Sequence, residues 1–330
     1  EPPEAPKLKG PYAENDRLKN VRLLAQGTGI GPEDVLVDEQ GHIYTGYADG
    51  RVVRFEPDGT RPDLIARTGG RPLGLAFDPQ GHLLVADGYR GLLRIDDSGV
   101  ISVLSTEADG RPYGFTNNVA VAEDGTVYFT DASSKFGPER KARDAILEHG
   151  GHGRLLQYNP ETGDTKVLLR DLQFANGVAV TPDQQAVLVA ETGQYDILRY
   201  WRTGERAGEH EVLIGNLPGL PDNIRSNGRD TIWVALYAPR NKALDTLAPW
   251  PFVRKMAYRL PQALQPQPAP HAFVLGLSPS GEVIRNLQYK GADSYHPITG
   301  VDEHEGQLYL GSLTHDAIAV HELPAASSTQ

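Results

Sequence analysis

The chain of 330 residues contains no cysteine and a single methionine. Without cysteine there is no disulfide, no thiolate zinc or iron–sulfur site and no thiol nucleophile, and the redox compartment is left open. No apolar run reaches the ~18 residues that a membrane-spanning helix needs. A basic run is missing too: 32 Lys and Arg stand against 43 Asp and Glu, a formal charge of −11. That balance argues against nucleic acid or an anionic membrane as partner and suits a cation or a neutral small molecule. Motifs of nucleotide, serine-esterase and zinc-protease chemistry are absent, and QGTGIG from Gln26 lacks the spacing of a dinucleotide loop. Helical signals are confined to residues 141–149 and 252–264.

What the chain does contain is a repeat. Aligned on Asn176, six segments share a variable residue, then Asp, Gly or Asn, then an aliphatic residue. They start at Glu33, Leu73, Asn117, Asn176, Asp222 and Thr299, with successive offsets of 40, 44, 59, 46 and 77. Each opens an apolar strand, turns at Gly, Asp or Pro, and continues into a second strand. A third strand follows (RVVRFE, GLLRID, GRLLQY, DILRYW) and then a fourth (PDLIAR, ISVLST, TKVLLR, HEVLIG). Four strands in roughly 40 to 45 residues is the period of a propeller blade. The two long offsets place insertions near 132–152 in the third blade and 238–271 in the fifth.

The last unit ends after a third strand, AIAVHEL at Ala317–Leu323, while RLLAQG at Arg22–Gly27 is a strand without a unit. Pairing the two completes the sixth blade and removes an open sheet edge. The expected fold is therefore all-β: a six-bladed β-propeller over residues 21–325, preceded by an extended polar arm over 1–20 and followed by a short tail.

In such a fold the starts of the innermost strands surround one mouth of the central channel. The six aligned positions then form a ring of two carboxylates, two amides, Leu73 and Thr299. An oxygen-only set suits a hard cation, and a loose ring from separate blades suits calcium better than magnesium. The expected metal ligands are Glu33, Asn117, Asn176 and Asp222, with Asn118, Asn223 and Thr299 behind them. A turn role for each Asn is the competing reading, and it is the shared register that argues against it.

The strings GRLLQYNPETGDTKVLLRDLQFANGVAVTPD and EHEGQLYLGSL resemble those of the six-bladed propeller superfamily that includes strictosidine-synthase-like proteins, gluconolactonase, diisopropyl fluorophosphatase and paraoxonase. The resemblance runs over Leu18–Leu323 and is strongest to the strictosidine-synthase-like branch. It implies a catalytic calcium on the same four residues. Two departures narrow the chemistry: Thr299 stands where plant strictosidine synthase has a catalytic Glu, and Leu73 where paraoxonases have a channel His. Amine–aldehyde condensation and a His dyad are not expected.

What remains is a calcium-dependent hydrolase of lactones or aryl and alkyl esters, with phosphotriesters as a variant. Asp222 is the candidate base or nucleophile, unless it serves the metal alone, and His296 the candidate proton shuttle or substrate contact. His152 is a weaker one. Leu73, Tyr89, Tyr237 and Trp250, with Phe252, are candidates for an apolar pocket. A non-catalytic binding propeller with a structural calcium is the alternative. The start at Glu1 suggests a processed or truncated start, and the resemblance of the EPPEAP opening to that of exported or anchored relatives implies a place in the periplasm or outside the cytoplasm.

Overall fold

A computed structural model describes residues 3–138, 141–247, 249–250, 252–253, 256 and 269–324. Six four-stranded antiparallel sheets make up a six-bladed β-propeller. From the inside outward the first blade runs Val35–Val37, Ile43–Gly46, Arg51–Phe55 and Asp63–Arg67; the second starts at Pro72–Phe77, the third at Thr116–Val121, the fourth at Ala175–Val180 and the fifth at Gly219–Ser226. In the sixth, Gly300–His304, Gln307–Gly311 and Ile318–Glu322 are completed by Arg22–Leu24, which pairs antiparallel with the third strand through Leu23 and Ala319. The closure expected from the two orphan strands is the one observed. A small hairpin, Glu107–Ala108 with Arg111–Pro112, was not foreseen.

The reason for six sheets rather than one is visible in their middle strands. Ala186–Glu191 is buried at every position, because Val187 and Val189 face the third blade while Leu188 and Ala190 face the fifth. With both faces covered, a strand is apolar throughout instead of alternating. Among the described residues the core is accordingly divided into six buried clusters between adjacent blades and a smaller seventh around Leu73, Phe115 and Phe174.

The arm lies along the outer strand of the fifth blade, Val283–Lys290. Leu18 N donates to Gln288 O, Gln288 Nε2 to Tyr12 O and Asn286 Nδ2 to Ala13 O, so the strand's free edge is covered. Farther along, Arg240 Nη2 donates to Pro3 O. The third-blade insertion carries the helix Lys141–Glu148, close to the expected 141–149. The fifth-blade insertion carries a helix at Lys242–Leu247 that was not expected; of the expected segment 252–264, the described residues Phe252, Val253 and Met256 are helical and the others fall outside the described residues.

Candidate functional site

The polar positions of the repeat gain their aim from bulges. In blades two to five the pairing of the inner strand slips at the ring position, between Pro72 and Gly74, Thr116 and Val119, Ala175 and Val178, and Pro221 and Ile224, the fifth blade slipping also between Gly219 and Pro221. The residues inside the slips are Leu73, Asn117, Asn176 and Asp222 with their followers. A bulge bends its strand and re-aims a side chain, which turns the ring residues towards the channel mouth.

The residue after each ring position alternates: Asp34, Gly74, Asn118, Gly177, Asn223, Gly300. Every glycine faces the Asx of the next blade. A Cβ on Gly74 would stand 2.5 Å from Asn118 Cα, one on Gly177 2.7 Å from Asn223 Cα, and one on Gly300 2.9 Å from Asp34 Cα. Close approach of neighbouring backbones, rather than turn formation, is what these glycines provide. Threonines stitch the same layer: Thr130 Oγ1 donates to Asn176 O, Thr192 Oγ1 to Pro221 O, and Thr299 Oγ1 to Glu33 O, at 2.6 to 2.8 Å.

Glu33, Asn117, Asn176 and Asp222 are each at most 5 % exposed. Asn223 Nδ2 donates to Glu33 Oε1 at 3.2 Å, which brings the first and fifth blades together. Asn176 Nδ2 donates to Thr192 Oγ1 at 3.1 Å, leaving its oxygen free. Glu33 Oε2, Asn117 Oδ1, Asn176 Oδ1, Asn223 Oδ1 and Thr116 Oγ1 are buried with no hydrogen-bond partner. Buried acceptors are normally paired, so five orphans in one layer fit a cation. Among the described residues no three His, Cys, Asp or Glu side chains gather as a metal group; the ring has two acids, and its other oxygens are amides and a hydroxyl.

Charge behaves accordingly. Burial, then the Asp222 and Asp34 charges, pushes Glu33 well above the usual carboxylate range, with Arg71 pulling the other way. Burial, with the Asp34 charge behind it, pushes Asp222 up to about 8, against the hydrogen bond from Asn176. Asp34 itself is held by Arg225 Nη2 at 2.8 Å and accepts from Leu75 N at 3.0 Å. Arg225 also donates to Leu75 O and lies 3.7 Å from Asp302, so it spans blades five, one, two and six beneath the ring.

The other candidates separate. Tyr237 is half-buried and its phenol is raised by burial and then by the Asp222 charge. Leu73 packs with Phe115, Ala132 and Phe174 under Ala145 and Ile146 of the third-blade helix. His296 Nδ1 is engaged by Ser294 Oγ and O at 3.0 Å, and among the described residues no hydrogen bond links it to the ring. His152 sits 3.4 Å from Glu148. Tyr89, Trp250 and Phe252 are 56, 63 and 74 % exposed and do not close a pocket over the ring. Sequence reasoning passed over Arg71, Arg225 and Thr116. For Arg225, the alternation of Gly with Asp or Asn marks the crowded layer it supports.

Two family signatures match the chain: "Strictosidine synthase" over residues 117–205 and "Strictosidine synthase-like, N-terminal" over residues 10–55. Protein STRICTOSIDINE SYNTHASE-LIKE 3 of Arabidopsis thaliana is 35 % identical over 97 % of this chain and 90 % of its own. Among solved structures, a gluconolactonase from Xanthomonas campestris superposes with a TM-score of 0.66 at 18 % identity, covering 93 % of this chain and 91 % of that one. Regucalcin of Agrobacterium tumefaciens, described as a calcium-binding protein, does so with 0.62 at 14 %, covering 92 % and 91 %. At those identities the structural likeness is one of fold. No helix among the described residues is long and apolar enough to cross a membrane.

Proposed function

The chain belongs to the strictosidine-synthase-like family, and from that premise we propose that it is a calcium-dependent hydrolase of lactones or of aryl and alkyl esters, phosphotriesters being a possible side activity of the same site. The observation that carries the reading is the set of orphaned oxygens: Glu33 Oε2, Asn117 Oδ1 and Asn176 Oδ1, buried in one layer with the Asp222 carboxylate. Hard, neutral and anionic oxygens from separate blades are the donor chemistry of calcium. Glu33, Asn117, Asn176 and Asp222 would hold the ion, with Asn223 Oδ1 within the same layer. A fold neighbour described as calcium-binding and another described as a gluconolactonase are in keeping with this.

Bound there, the ion supplies a Lewis acid that polarises a carbonyl and offsets charge on its oxygen. The chain's own residues do the rest. Asp222 takes a proton from the attacking water on its carboxylate and returns it to the alkoxide or phenoxide that leaves; Glu33 keeps the ring anionic enough for a divalent ion. Asn223 orients Glu33 through its amide hydrogen bond. Leu73, Phe115 and Phe174 form an apolar wall that excludes water from one side of the mouth. The Thr299 hydroxyl is committed to Glu33 O, so this position offers no acid for amine–aldehyde condensation.

Hydrolysis of γ-butyrolactone, phenyl acetate and a diethyl aryl phosphate, followed with and without EDTA, tests the reading. Turnover of at least one of them that is lost on chelation and restored by calcium is expected. Absence of turnover on all three, with calcium only raising the melting temperature, would leave a binding propeller with a structural ion.

A further inference from the structure

Two positions before each ring residue in sequence come Gly31, Arg71, Phe115, Phe174, Leu220 and Pro297. Arg71 is the one charge among them. Phe115 and Phe174 of this set pack edge to face at 5.7 Å with Leu73 in the same buried cluster, and their side chains offer a ligand no hydrogen bond.

Arg71 is held but not satisfied. Its Nη2 donates to Gly31 O at 2.9 Å, two residues before Glu33, while its Nη1 is buried with no partner. The Glu33 and Asp87 charges both act on it, yet among the described residues it forms no ion pair with either. Asp87 spends Oδ1 on the backbone N–H groups of Arg71, Tyr89 and Arg90, and its Oδ2 is also without a partner. A guanidinium presents its donors as a rigid fork matched to a carboxylate or phosphate. One prong fixed to the chain and one left free, beside the metal ring, is the arrangement of a fork that waits for an anion.

We propose that Arg71 is a specificity residue for an anionic substituent: the substrate is a lactone or ester that carries a carboxylate near the scissile acyl group, and Arg71 Nη1 receives it. This rests on the hydrolase reading for the reaction, though not for the anion site itself. No bond forms or breaks at Arg71; it binds charge and orients the acyl carbon towards the ring.

The test compares γ-butyrolactone with 5-oxotetrahydrofuran-2-carboxylate, the same ring bearing a carboxylate, on the calcium-loaded full chain. Wild type should favour the carboxylate-bearing lactone in kcat/KM, and Arg71→Met should lower that preference by about tenfold or more, through KM rather than kcat. Arg71→Lys, which keeps the charge without the fork, should lower it less. Calorimetric binding of 2-hydroxyglutarate, the ring-opened product, should weaken in step and does not require turnover. Binding that depends on Arg71 without hydrolysis of either lactone would remove the hydrolase reading and leave the anion site. Hydrolysis by wild type with no preference for the carboxylate, or 2-hydroxyglutarate binding indifferent to Arg71, would overturn the inference and reduce Arg71 to a partner of Asp87 through water. The wild-type preference decides the matter even where Arg71→Met fails to fold.

Discussion

Asn223 and Glu33 are 190 positions apart in sequence and 3.2 Å apart in the fold, the amide of the first donating to the carboxylate of the second. The bond joins the fifth blade to the first at the channel mouth and leaves Glu33 Oε2 and Asn223 Oδ1 both free and buried. Removing a partner that orients a metal ligand typically weakens the site ~10- to 100-fold. Asn223→Ala should therefore lower calcium affinity by that factor in a calorimetric titration. A Kd within about twofold of wild type would show that the bond orients nothing.

The same layer fixes how stability depends on pH. In the metal-free protein, burial raises Asp222 to about 8 and Glu33 well above its usual range, while unfolded carboxylates titrate near ~4. Between those values the folded state holds protons that the unfolded state has released. Stability of the chelated protein is then full below pH ~4 and falls as pH rises towards ~8. Calcium requires the ionised forms, so its affinity should rise across the same window with release of protons. Melting temperatures in EDTA from pH 4 to 9 check the first statement; a climb through that window would refute it.

Gly177 lets the fourth and fifth blades touch at the ring, since its added Cβ would stand 2.6 Å from Asp222 O and would crowd Ile224 N more closely still. Gly177→Ala should cost about 1–3 kcal/mol as overpacking, a fall of ~2–6 °C in melting temperature, and weaken calcium binding with it. Gly163, a surface turn whose Cβ would meet nothing within 4 Å, provides the control: Gly163→Ala should strain only its own turn and leave calcium affinity alone.

Beneath the ring, Arg225 is the cation of the wholly buried Asp34. Arg225→Met leaves that carboxylate unpaired, at a cost of ~3–5 kcal/mol. Pairing it with Asp34→Asn should recover much of the loss. A double-mutant cycle in urea reads the coupling; additive losses would mean the two do not act together.

The fold was legible because its information is local and repeated. Each blade spells its own strands and turns, and the two unmatched strands at Arg22–Leu24 and Ile318–Glu322 state how the ring closes. Glu33, Asn117, Asn176 and Asp222 were singled out for the same reason, since equivalent residues of a repeat occupy equivalent places, and all four are buried. What the repeat could not convey is contact between non-equivalent residues. Arg71 meets Gly31, and Arg225 meets Asp34 and Asp302, across blades and with no shared register. Insertions were the other weak point, because a loop outside the repeat carries no register. The fifth-blade insertion has a helix at Lys242–Leu247 that no sequence signal marked, Phe252, Val253 and Met256 are helical as expected, and Tyr89 and Trp250 face solvent. Tyr237, in a strand of the blade itself, is half-buried and feels the Asp222 charge.

The central claim is that a calcium ion on Glu33, Asn117, Asn176 and Asp222 is the seat of catalysis. Its most direct test is the rate of lactone and aryl-ester hydrolysis against free calcium, in wild type and in Asp222→Ala. The account predicts a rate that vanishes on chelation, returns with a midpoint equal to the calorimetric Kd, and is lost in Asp222→Ala at every calcium concentration. A rate unchanged by chelation, or retained in Asp222→Ala, would contradict it.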